Sequence, residues 1–192
     1  QTSKPYLSTK DQDMDQKLVE YLDRLKGDHP DKNFPSFCEK HSNNVSNKKI
    51  LAVLQDPGGS SPERTLQCSV YTNDDPTAKR QRDILSKLNI DAENVLFWNF
   101  FPFFGLADKK IVNNDKIIWA RELRSLASSL NKLQVIVVSG TQAWDGMRYF
   151  KPLPGVSTVW TPHPANRGNL TESLRKLFVD GWQQAKYLSE KK

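Results

Sequence analysis

The sequence predicts an α/β protein in which a mostly parallel sheet of four strands lies between two layers of helices. Three observations lead there. Short unbroken apolar runs recur along the chain and end in turn residues, as strands buried on both faces do. Segments with apolar residues at helical spacing stand between them. Alternation of the two kinds is the pattern of parallel strands joined by crossover helices.

Taken in order, residues 11–26 (DQDMDQKLVEYLDRLK) place Met14, Leu18, Leu22 and Leu25 on one helical face, and GDHPDKNFPS ends that helix. KKILAVLQ at 48–55 reads as the first buried strand, and PTAKRQRDILSKLNI at 76–90 as a helix. ENVLFWNF at 93–100 reads as the second strand. Residues 114–131 (NDKIIWARELRSLASSLN) form the clearest amphipathic helix, with Asn114 its expected N-cap. LQVIVVSG at 133–140 is the third strand, with a helix start in TQAWDGMRYF, and VSTVWTPHP at 156–164 is the fourth. A last helix is expected from Asn169, where Glu172 completes a capping box, to about Leu188. No repeat, linker or low-complexity tract interrupts the chain, so residues 1–192 read as one domain.

Composition narrows the class. The 192 residues are 37% hydrophobic and 10% aromatic, which suits a chain with a packed core. No apolar stretch approaches the roughly 20 residues that cross a bilayer, and the polar first residues lack the apolar region of a secretory signal. Cys38 and Cys68 share no metal-ligand or redox-motif spacing, so they read as thiols of a reducing, intracellular compartment. A net charge of +6 is compatible with a polyanionic partner.

In parallel sheets, ligands gather beyond the carboxyl ends of the strands. The first strand delivers Gln55, Asp56, Pro57, Gly58 and Gly59 to that rim, and the second delivers Asn99, Phe100 and Phe101. The third delivers Ser139, Gly140 and Thr141, and the fourth leads into Thr161-Pro162-His163-Pro164-Ala165-Asn166-Arg167-Gly168. Taken singly, Asp56 suits an Asx-turn, Asn99 a strand terminator and His163 a core imidazole. Together, an acid, an amide and a histidine on one rim point to a site.

These stretches resemble the uracil-DNA glycosylase superfamily, as a divergent member. QDPGG is similar to the family's first motif, VLFWN to the strand that ends in the uracil-reading Asn, VIVVSGTQAW to its third strand, and TPHPANRGN to its His-Pro motif with a DNA-inserting loop. The four occur in family order over roughly residues 48–170. The resemblance implies a three-layer α/β/α sandwich with a central four-stranded, mainly parallel sheet. It implies hydrolysis of the N-glycosidic bond of uracil, or a related deaminated base, in DNA, as the first step of base excision repair.

By the same resemblance, Asp56 and His163 are the catalytic pair. Gln55, Gly58, Gly59, Cys68, Asn99 and Phe100 would meet the base, and Ser60, Ser61, Ser139, Thr141, Ala165, Asn166 and Arg167 the DNA. The departures are specific. Gly58 stands where the best-known branch has a Tyr that excludes the thymine methyl. Cys68, in LQCSV, stands where that branch stacks a Phe on uracil, leaving Tyr71, Phe100 or Phe101 to stack. The final loop lacks an apolar wedge, so Asn166 or Arg167 would fill the gap left by a flipped base.

Two cysteines are fewer than the four of the family's iron–sulfur branches, so neither metal nor cofactor is expected. The expected partner is DNA with uracil or deaminated bases, bound by a monomer, in a prokaryotic cytoplasm or a eukaryotic nucleus. A catalytically weak module that binds uracil-containing or single-stranded DNA is the alternative on the same fold.

Overall fold

A computed structural model describes residues 15–37, 42, 44–57, 67–68, 70–71, 73–106, 110–164 and 171–191. Strands β2 (Ile50–Leu54), β4 (Val95–Asn99), β5 (Val135–Ser139) and β6 (Ser157–Thr161) form one sheet in the order β4-β2-β5-β6. Every pairing in it is parallel, so all four carboxyl ends share one edge. The chain steps from β2 to β4 on one side and then crosses to β5 on the other, which puts the point of reversal at β2.

Alternation along the strands separates two cores. Leu51, Val53, Leu96, Trp98, Ile136 and Val138 point to one face, which is covered by α1 (Gln16–Asp28), α3 (Asn113–Ser129) and α4 (Thr141–Gly146). Ile50, Ala52, Val95, Phe97, Val135 and Val137 point to the other, under α2 (Pro76–Lys87) and α5 (Glu172–Glu190). The expected α/β/α sandwich is therefore present, with its four-stranded sheet wholly parallel.

Local chemistry sets the helix starts. The Asp15 carboxylate accepts from the backbone of Lys17 and of Val45, capping α1 and tying it to the approach to β2. Asp75 caps α2 by accepting from Ala78, and Pro76 occupies the first helical position, where no N–H is needed. Two expected caps shift. Helix α3 begins at Asn113, with Val112 at the cap position and the Asp115 carboxylate accepting from its N–H. Asn114 lies inside the first turn because the acid three residues beyond Val112 satisfies the helix start from within. Thr171 caps α5 by accepting from Leu174, while Asn169 lies outside the described residues.

A second, two-stranded sheet was not legible in the sequence: β1 (Ser36–Phe37) pairs in parallel with β3 (Gln67–Cys68). The Phe37 ring stacks on Trp98 of β4 at 4.1 Å, and Tyr21 meets Trp98 edge-on at 6.1 Å. Trp98 thus faces the α1/α3 layer, as its place in an apolar run suggests.

One residue of α2 sits oddly in its core. Gln81 is 1% exposed, and among the described residues neither atom of its amide has a hydrogen-bond partner. A buried polar group left unmatched costs about 1–3 kcal/mol. Gln81→Met, which keeps the volume and removes the polar atoms, is expected to raise unfolding stability by about 1 kcal/mol. The check is the midpoint of urea unfolding; an unchanged or lower midpoint would mean that the amide is matched by something else.

Candidate functional site

The register of the sheet builds a rim. Asn99 pairs with Leu54, and Ser139 one position beyond the Val53–Val138 pair stands level with Thr161. Asn99, Leu54, Ser139 and Thr161 thus form a row across the strands, with neighbours about 4.8 Å apart. Pairing continues past the strand ends: the backbone N–H of Phe100 donates to Leu54 at 2.7 Å, and that of Phe101 to Gln55 at 2.8 Å. Gly140 N–H likewise donates to Thr161 at 2.9 Å.

Beyond this row stand Asp56, two residues past β2, and His163, two past β6. Both are half-buried. Strand β2 fixes the acid from below: Ile50, Leu51 and Val53 are fully buried and bonded on both sides. Pro162 and Pro164 are buried on either side of His163, so the imidazole rises from a rigid backbone. The guanidinium of Arg80, on α2, donates to the Pro164 carbonyl and ties this turn to the helix.

Between the strands bearing acid and imidazole runs β5, so two strand spacings, about 10 Å, separate them. Gly140 occupies the position after β5. Its φ is +93° and ψ 160°, a region open essentially to glycine alone, and a Cβ built there would lie 3.3 Å from both Cβ and Cδ2 of His163. The missing side chain therefore lets the imidazole rest against the backbone.

Asn99 is 3% exposed, and its Nδ2 donates to Cys68 Sγ at 3.3 Å. By strand alternation it points to the α2/α5 side of the sheet, as Val95 and Phe97 do. Arg82, also on α2, donates to the carbonyls of Val70 and Asn73, holding the segment that follows Cys68. Helix α2 thus anchors both stretches that flank the rim.

Two sequence-derived assignments change in role. Phe100 is fully buried, packed edge-on against Phe101 at 4.9 Å and closely against Gly146, so its ring serves the core and is not offered to a base. Ser139 is 2% exposed and shares a 2.9 Å hydroxyl bond with Thr161, so it ties β5 to β6 and does not meet a phosphate. Thr141 is exposed at the start of α4, and Gln55 is half-buried on the rim. Gly58, Gly59, Ser60, Ser61, Ala165, Asn166 and Arg167 lie outside the described residues.

Helix α4 is braced to α3 by Lys116, whose Nζ lies 2.5 Å from Asp145, and Arg148 adds a second cation. The Lys116 hydrogen bond, with smaller help from Arg148, holds the Asp145 carboxyl below the usual range. The brace is therefore in place above the ordinary carboxylate pKa and is lost only as pH falls through the lowered one.

No protein-family model matches this chain, and no curated protein matches it either. Among the described residues no cluster of three or more His, Cys, Asp or Glu could hold a metal ion, and no helix is long and apolar enough to cross a membrane.

Proposed function

We propose that this chain is a monofunctional DNA glycosylase that hydrolyses the N-glycosidic bond of uracil, or of a related deaminated base, in DNA. One observation carries the reading: Asp56, Asn99 and His163 lie at the carboxyl edge of one parallel sheet, where α/β folds bind ligands, with Asp56 at its point of reversal. The motif order that resembles the uracil-DNA glycosylase superfamily supports it.

The chemistry follows from charge. Breaking the bond leaves positive charge on the sugar and negative charge on the departing base. The Asp56 carboxylate stabilises the oxocarbenium-like sugar and orients or deprotonates the attacking water; such general-base help is worth about 10²–10⁴-fold. A neutral His163 imidazole donates to the O2 of the leaving uracil anion, in the manner of an oxyanion hole. Asn99 selects the base: its Oδ1 accepts from uracil N3–H and its Nδ2 donates to O4, whereas cytosine reverses both. Each mismatched buried group costs about 1–3 kcal/mol. To reach these groups the nucleotide must leave the duplex.

The partner on this reading is DNA that contains uracil or deaminated bases, bound by a monomer. The compartment is intracellular, a prokaryotic cytoplasm or a eukaryotic nucleus. The test is an oligonucleotide with one uracil, incubated with the protein, cleaved by alkali and resolved on a gel. Alkali-sensitive breaks at uracil are expected. Binding without any break would leave a DNA-binding module in place of an enzyme. Repeating the assay with thymine mismatches, hypoxanthine, xanthine and ethenocytosine, in single and double strands, reads the range of bases.

A further inference from the structure

Asn99 can tell uracil from cytosine only if its carboxamide is held one way round, because a flipped amide exchanges donor and acceptor. Strand β4 fixes the Cα of Asn99 but not the rotation about its last torsion, which is soft and nearly two-fold. Among the described residues, the side-chain partner of this amide is Cys68, whose sulfur accepts from Nδ2 at 3.3 Å. We infer that Cys68 is a positioning residue: it fixes the flip state of the Asn99 carboxamide and thereby which base edge that amide pairs with. The inference rests on the glycosylase reading above and adds to it a determinant of specificity.

The contact has the architecture such a role needs. Cys68 ends β3, the strand that pairs with β1, and the rigid stack of Phe37 on Trp98 joins this small sheet to β4. Arg82 then holds the carbonyls of Val70 and Asn73 just beyond it. The sulfur is therefore delivered to Asn99 from a structured element, across 31 positions of sequence. With one Nδ2 proton on sulfur, the second proton and Oδ1 form a donor–acceptor edge that matches O4 and N3–H of uracil. The opposite flip turns Oδ1 toward Cys68, where only the weak S–H donor could meet it, and exchanges donor and acceptor on the base edge, which then matches cytosine and not uracil. Cys68 on this view serves the Asn99 amide and is not a stacking platform for the base.

Cys68→Ala removes the acceptor, and Cys68→Ser restores one of similar size. In ¹⁵N–¹H spectra of the intact protein, the two Nδ2 protons of Asn99 are expected to be distinct and slowly exchanging in wild type and Cys68→Ser. In Cys68→Ala they are expected to move toward the values of an unconstrained amide. Uracil excision by Cys68→Ala should fall on the order of 3- to 10-fold in kcat/KM, mainly through KM, with recovery in Cys68→Ser. Asn99 amide signals unchanged in Cys68→Ala would overturn the inference, whether or not uracil is excised. Altered signals in a protein that excises no uracil would instead retain the positioning contact and remove the glycosylase reading.

Discussion

Asp56→Asn is expected to lower the single-turnover rate of uracil excision by about 10²–10⁴-fold while leaving the fold and DNA binding in place. Asn has the shape of Asp but carries no charge and is no base. It can neither stabilise a cationic sugar nor take a proton from water. Because Asp56 is half-buried beyond a strand whose core residues are sealed, the exchange falls on the rim and not in the packing. The measurement is a quench-flow time course at saturating protein, with a far-UV spectrum and a binding isotherm beside it. Wild-type rates in Asp56→Asn would remove Asp56 from the chemistry and leave the acid as a turn residue.

The second large effect is expected from a residue with no side chain. Gly140→Ala forces a φ of +93° on a residue with a Cβ and sets that Cβ 3.3 Å from the His163 imidazole. The backbone strain is of order 1–3 kcal/mol, and it is relieved by shifting the turn or pushing the ring away. A displaced catalytic group is costly: a misplacement of about 1 Å can cost about 10²-fold. Excision by Gly140→Ala is therefore expected to fall about 10²-fold in kcat, with a modest drop in melting temperature. A variant that melts lower but turns over at the wild-type rate would mean that the position of His163 is not what limits the reaction.

The part of this arrangement that could be read in the sequence is the part encoded by short-range pattern. Strands β2, β4 and β5 announced themselves as apolar runs because both their faces are covered, and the rim residues followed from where those runs end. Asp56 and Asn99 were legible for that reason, whereas His163 followed from the end of β6, a strand that is partly exposed. Strands β1 and β3 were not legible, since two residues carry no period. Nor was the cap of α3, because Val112 has no capping side chain and the acid that does the work stands inside the helix.

The contacts that refine the site are long-range, and no local signal marks them. Arg80 reaches Pro164 across 84 positions, from a segment, AKRQRD, that reads as an ordinary charged helix face. Cys68 looked like a poor substitute for an aromatic stacking residue until its sulfur was found on the Asn99 amide. Phe100 and Ser139 were assigned by their place after a strand, and burial overrode that place. Gly140 is the intermediate case. It was visible as a strand-terminating glycine, but only its positive φ and its contact with His163 explain why no other residue stands there.

The central claim is that Asp56, Asn99 and His163 act on one flipped base to release it whole. Its most direct test is mass-spectrometric detection of the small-molecule product from a single-uracil duplex held with excess protein. The expected result is one equivalent of free uracil and an uncut strand bearing an abasic site. Tight binding of that duplex with no free uracil released, or a strand cut without alkali, would contradict it.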